Sequence, residues 1–155
     1  MTDKKDNPGV VAPPPLIFLS GLILGGIWTW FYPFPMMLGG LAVVLGNLLF
    51  LVGIGVIAII FAQMRKAKTN IEPWKPTTKI LDTGFYGISR NPIYLGMILI
   101  YLGISCLFNS IWFLPFLPLS LLAIHYGVIL REEKYLESKF GEEYLDYKQR
   151  VRRWI

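Results

Sequence analysis

The chain has 155 residues, of which 54% are hydrophobic and 16% charged, with a formal net charge of +5. That balance, with its positive mean hydropathy, excludes an ordinary soluble domain and reads as an integral membrane protein. The lone cysteine, Cys106, excludes an internal disulfide and a cysteine-pair metal site, and no metal is expected.

The opening, residues 1–14, is polar and then rich in proline and valine, with nothing to bury, and reads as a flexible lead-in. Between Asp6 and Arg65 there is no Asp, Glu, Lys or Arg, and the same holds between Arg90 and Arg131. Each uncharged block exceeds one bilayer crossing of about 20 residues, and each is broken by turn residues. The expected fold is all-α and polytopic, with four transmembrane helices in two hairpins. The first hairpin spans 15–63 and turns at "PFPMM"; the second spans 92–130 and turns at Asn109 and Ser110. Helix three is short for a crossing, and Pro115 and Pro118 predict a bend in helix four.

Four spans put both termini and the central loop, 64–91, on one side. From 65 to 90 that loop carries six Lys or Arg against Glu72 and Asp82, so the positive-inside rule places it and both termini in the cytoplasm. The excess positive charge then serves topology and contact with anionic lipid, and no nucleic-acid partner is expected. Gly21 and Gly25, then Gly39, Gly46 and Gly53, then Gly96 and Gly103 recur at spacings that let helices approach closely in lipid. In the tail, 131–155, Leu136, Phe140, Tyr144, Tyr147, Val151 and Trp154 mark one face of an amphipathic cytoplasmic helix that lies on the membrane surface or folds back over the cytoplasmic loop, with Gly141 interrupting it as a point of bending.

The chemistry gathers where the loop meets helix three, in "GFYGISRNPIYLG". Pro92 suits the first helical position and Asn91 the capping position before it, a sufficient structural reason for that pair. A helix N-terminus also attracts anions. The adjoining ends of helices three and four bring Arg90, Asn91 and Tyr94 toward Arg131, Glu132 and Glu133. Tyr86 and Tyr94 add ring faces for a cation or a flat base. Such a mouth suits a ligand with a carboxylate, a cation, hydroxyls and a heterocycle, as S-adenosylmethionine has. His125, the one histidine, lies about two turns inside helix four; a single internal hydrogen bond and a catalytic role account for it equally well.

The stretch "PTTKILDTGFYGISRNPIYLG", an apolar hairpin, and "REEKYLESKFGEEYLDYKQRVRRW" together resemble the isoprenylcysteine carboxyl methyltransferase family and its phospholipid methyltransferase relatives. The likeness covers Pro73 to Ile155. It implies an S-adenosylmethionine site formed by Lys79, Ile80, Leu81, Tyr86, Asn91, Pro92, Ile93, Tyr94 and Glu132, closed over by the tail, with Glu133 in the same acidic pair. It implies a membrane lipid or lipidated acceptor that enters laterally between helices, whether an isoprenylcysteine-like carboxyl or a phospholipid amine. Asn91 stands where enzymes acting on prenylated proteins carry histidine. Val128 stands where they carry an arginine, and Arg90 and Arg131 are the candidates to take its place. For an amine acceptor, His125 or one of the two glutamates is the candidate base. The alternative is a non-catalytic scaffold or lipid-binding protein that retains the fold.

Overall fold

The computed structural model describes residues 6–70 and 75–155; the first five residues of the lead-in and Glu72 of the loop lie outside them. The described chain is helical: α1 (Pro14–Phe31), α2 (Gly40–Lys66), α3 (Pro92–Leu107), α4 (Phe113–Ile124), α5 (Leu130–Phe140) and α6 (Glu142–Arg150). A 3-10 turn, Gly84–Gly87, precedes α3, and a wider π turn, His125–Ile129, joins α4 to α5 without a break in the rod.

Three rods are long and apolar enough to cross a membrane: Pro14–Phe31, Gly40–Lys66 and Phe113–Phe140. The apolar part of the third ends at Leu130, because six charged side chains follow between Arg131 and Lys139. The fourth expected span, α3, has 16 residues, hence a length of about 24 Å against a hydrocarbon core of about 30 Å. The molecule is an integral membrane protein in which three helices reach full crossing length and α3 is shorter.

Packing does not follow the expected hairpins. α2 lies along α3 and α1 along α4, while the sequence neighbours α1 and α2 are not packed along their length. Glycine explains the α2–α3 pairing. A Cβ at Gly53 would lie 2.7 Å from the Gly96 carbonyl oxygen, and one at Gly103 would lie 2.7 Å from the Phe50 amide nitrogen. Two backbones so close gain van der Waals contact that lipid tails cannot supply. On the other pair, Gly21 meets Ser120 and Tyr101, and Gly25 meets Phe113. Gly39, by contrast, faces open space at the start of α2 and takes no part in the seam.

The uncharged end is closed by its two turns. Ile111 N–H donates to the Phe34 carbonyl at 3.0 Å, Thr29 and Ser110 share a hydroxyl contact of 2.6 Å, and the Trp112 indole donates to the Tyr32 carbonyl. Asn109, at φ 45°, makes the tight turn expected there. In the apolar interior, the Tyr101 hydroxyl donates to the Phe113 carbonyl at 2.9 Å and ties α3 to α4.

The tail is two helices that meet at Gly141, where the sequence suggested one amphipathic helix with a bend. Its first half, α5, continues the α4 rod; Gly141 at φ 56° ends that rod, and α6 folds back so that Tyr144, Tyr147 and Val151 pack on Leu136, Phe140 and Ile80. A positive φ is a conformation glycine takes without steric cost. Residues 6–13 lie along the same rod. The Val11 amide donates to the Gly127 carbonyl in the π turn, and Asp6 meets Lys139 at 2.7 Å.

Candidate functional site

At the charged end the helices part around a cavity of about 300 Å³. Its inner wall is apolar, with Pro14 and Pro15 from α1, Phe61 and Met64 from α2, and Met97 from α3. Its outer wall mixes polar and apolar side chains. Lys79, Ile80, Leu81, Tyr86, Asn91, Pro92, Ile93, Tyr94 and Glu132 all line it, as do Arg90 and Glu133. Residues far apart in sequence meet here because α3 begins where α5 emerges: the Tyr94 hydroxyl donates to Glu132 Oε2 at 2.9 Å.

The two adjacent glutamates have opposite environments. Burial and the charge of Glu133 raise the Glu132 carboxyl to about 7, against a lowering by the Tyr94 hydrogen bond. Burial also works against ionisation of Glu133, but the Arg153 hydrogen bond and the charges of Arg90 and Arg153 outweigh it and hold that carboxyl below its ordinary range. Arg153 grips Glu133 with both prongs, Nε to Oε1 at 2.9 Å and Nη2 to Oε2 at 2.8 Å, and Arg90 Nη1 lies 3.0 Å from Oε1. Neighbouring carboxyls driven apart in this way take different roles. The ion cluster favours the ionised form of Glu133, whereas burial favours the protonated form of Glu132.

The cluster also explains Asn91. It precedes Pro92 as expected, but no side-chain cap forms. Its amide donates instead to the Arg153 carbonyl at 2.9 Å, the Ser89 hydroxyl donates to the same oxygen, and the Arg90 amide donates to the Arg152 carbonyl. The last residues of the chain are thus stitched beneath the start of α3. Tyr147 adds a fourth tie through its hydroxyl to the Tyr86 carbonyl at 2.8 Å.

Two of the candidates lie elsewhere. Arg131 is exposed and donates to the Gly9 carbonyl at 3.0 Å, outside the cavity wall. His125 opens the π turn with its ring edge-on to Tyr126 and does not line the cavity either. Sequence reasoning missed Arg153, whose partner is 20 residues away across the Gly141 reversal, and the α2 residues Phe61 and Met64, which sit in a featureless apolar run. Only the Arg-Arg-Trp ending hinted at the first.

The wall fits a zwitterionic ligand with a flat apolar portion. Arg90 Nε is buried and has no hydrogen-bond acceptor among the described residues, so it offers a donor to an anionic group. Glu132 keeps acceptor capacity beyond Tyr94 for a cationic group, and Ile80, Leu81 and Met64 supply apolar surface. No group of three or more His, Cys, Asp or Glu among the described residues is placed to hold a metal ion.

Comparisons with known proteins point one way. The structure of the eukaryotic intramembrane Ras methyltransferase, isoprenylcysteine carboxyl methyltransferase, superposes with a TM-score of 0.65 at 21% identity, over 88% of this chain and 50% of that one. At that identity the likeness is one of fold, and this chain spans half the length of that enzyme. An uncharacterized protein of Haemophilus influenzae is 48% identical over 64 residues, which is 41% of this chain and all of that protein. A family model for phospholipid methyltransferases matches residues 41–143, from the start of α2 into α6. That segment supplies most of the cavity wall, and by this match the chain belongs to the phospholipid methyltransferase family.

Proposed function

We propose that the protein is an S-adenosylmethionine-dependent methyltransferase of the membrane. The cofactor would occupy the cavity at the charged end, and the acceptor would be a lipid or a lipid-modified group. The observation that carries the reading is the convergence, in one cavity wall, of a titratable carboxylate on α5, an arginine with a free buried donor, and the first turn of α3. A scaffold needs no such convergence. The excess of Lys and Arg in the central loop supports a cytoplasmic position for this end.

Bound there, S-adenosylmethionine would supply a methyl group on a positively charged sulfur, open to direct displacement. Glu132 and Tyr94 would hold its cationic portion, Arg90 its anionic portion, and Ile80, Leu81 and Tyr86 its flat base. What the chain must do is align and exclude water. Positioning of this kind is worth roughly 7–11 kcal/mol in favourable intramolecular cases. No covalent nucleophile is needed. A carboxylate acceptor arrives ionised, whereas an ammonium must first lose a proton. Among Glu132, Glu133 and His125, Glu132 best suits a base, since it lines the cavity and titrates near neutrality.

The acceptor would come from the bilayer between the charged-end portions of α1 and α2. Pro14, Pro15, Phe61 and Met64 line the cavity there, and the two helices are not packed together to close the gap. The test is methyl transfer from radiolabelled S-adenosylmethionine to phospholipid amines and to prenylcysteine carboxylates in mixed vesicles. Label in a lipid product, lost in Glu132→Gln, supports the reading. Cofactor turnover absent with every lipid acceptor, from protein that is folded, contradicts it.

A further inference from the structure

Residues 6–13 carry no membrane crossing and no charged wall of the cavity, yet they are tied to the rod of α4 and α5 along their whole length. Their inner half is fixed in the core. Val10 packs against the buried cluster that holds Phe18, Ile124 and Val128, and the Val11 amide donates to the Gly127 carbonyl at 3.0 Å. Their outer half is held by exposed polar contacts. The Gly9 carbonyl accepts from Arg131 Nη1 at 3.0 Å, and the Asp6 carboxylate accepts from the Tyr135 hydroxyl and from Lys139 Nζ, both at 2.7 Å.

Tyr135 joins this outer half to the mouth of the cavity. Its hydroxyl accepts from the Thr77 amide at 3.2 Å while it donates to Asp6, so the lead-in, the central loop and α5 meet at one oxygen. Pro8, Asn70, Thr77 and Tyr135, drawn from the same three segments, all line the cavity. Tyr135 lies beyond Arg131, in the charged part of the rod, so this rim is on the aqueous side.

Between the fixed half and the loosely held half stands Gly9, at φ 63°, where an added Cβ would meet nothing. Glycine moves between left-handed and right-handed backbone at little cost, which suits a pivot. Exposed ion pairs and single exposed hydrogen bonds are weak and exchange readily with water. The outer half can therefore swing away while Val10 and Val11 keep their places.

We propose that residues 6–9 are a lid on the aqueous mouth of the cavity, hinged at Gly9 and latched on Arg131, Tyr135 and Lys139. Closed, the lid completes the wall with Pro8 and keeps water from the reacting groups; open, it lets a water-soluble ligand pass. Arg131, which lines no part of the cavity, is then a positioning residue for the lid. That the ligand is S-adenosylmethionine rests on the function proposed above, whereas the lid rests on its own contacts.

The experiment uses the full-length protein in detergent with Cys106→Ser and Met97→Cys, so that the single thiol stands on the inner wall of the cavity. Its reaction with a charged, water-soluble methanethiosulfonate is followed in time. Asp6→Ala combined with Arg131→Met should speed that reaction on the order of fivefold, the change in open population expected for two lost surface contacts. The unfolding temperature should be kept, which separates an opened lid from a loosened fold. In a second protein, carrying Cys106→Ser without the reporter, a cleavable thiol tether between Asp6→Cys and Lys139→Cys should slow release of bound radiolabelled S-adenosylhomocysteine on the order of tenfold. Cleaving the tether should restore it. Labelling at an unchanged rate in the double variant, or release that the tether does not slow, would overturn the lid. No bound S-adenosylhomocysteine, in protein whose labelling still responds to the double variant, would contradict the cofactor reading and support the lid alone.

Discussion

The α2–α3 seam and the cavity at the charged end share α2 and α3 but are built on opposite principles. Along the seam, glycines bring two backbones into contact with no polar side chain between them. At the charged end, ties from the end of the chain, Arg153 to Glu133 on α5 and Asn91 to the Arg153 carbonyl, fix the start of α3 against α5 instead. The difference teaches a division of labour. The seam sets the tilt and register of α3, so that its first turn faces α5. The polar ties then hold a cavity open at that point, where close packing would have filled it.

If that division is right, disturbing the polar ties should cost the most. Arg90→Met leaves the buried Glu133 with one guanidinium instead of two, and loss of a partner from a buried ion cluster costs about 3 kcal/mol. Thermal unfolding in detergent should show a drop of several degrees, and an unchanged transition would remove the cluster from the account. Gly53→Leu drives a side chain into the Gly96 carbonyl and should cost about 2 kcal/mol through overpacking. Gly55→Leu, half a turn away, should be neutral in the monomer, and equal losses at the two positions would contradict the seam.

A finer test works inside the cavity. A cationic ligand favours the ionised form of Glu132, so its affinity should be full above pH 7 and fall by up to tenfold per unit below it. Without ligand the sign reverses: the carboxyl, raised from 4.5 to about 7 by folding, favours the folded state below 4.5 and ceases to do so as pH rises through 7. Tyr94→Phe removes the one hydrogen bond that lowers this carboxyl and should move the affinity midpoint upward; titration of binding against pH checks it. The smallest effect is expected at Asp6, which pairs with the exposed Lys139. Asp6→Asn should leave the thermal unfolding transition nearly unchanged, as for other surface pairs, and salt should erase even the small difference.

The same contrast sorts what the sequence made legible. The uncharged blocks and their turns were readable because lipid imposes a composition, and Asn109 and the Pro-Phe-Pro stretch announce reversals locally. The cavity lining was readable from a motif that runs from Lys79 to Tyr94 and resumes at Glu132. Helix pairing was not, since a glycine every seven residues says that something approaches closely and not which helix does. Arg153 was hidden for a similar reason: its bond to Glu133 depends on the chain reversing at Gly141, which read only as a possible bend in one helix. The short α3 was anticipated from the distance between Pro92 and Asn109, but the continuity of α4 into α5 was not. The change from apolar to charged residues at Arg131 looked like the start of a new element, where the structure keeps one rod.

The central claim is that the Glu132 cavity holds the cofactor, and calorimetric titration of S-adenosylmethionine and S-adenosylhomocysteine into the detergent-purified protein tests it most directly, with Glu132→Gln alongside. The account predicts saturable one-site binding of both, weakened at least tenfold in the variant while its unfolding temperature is kept. Binding of equal strength in the variant, or none in folded wild-type protein, would contradict it.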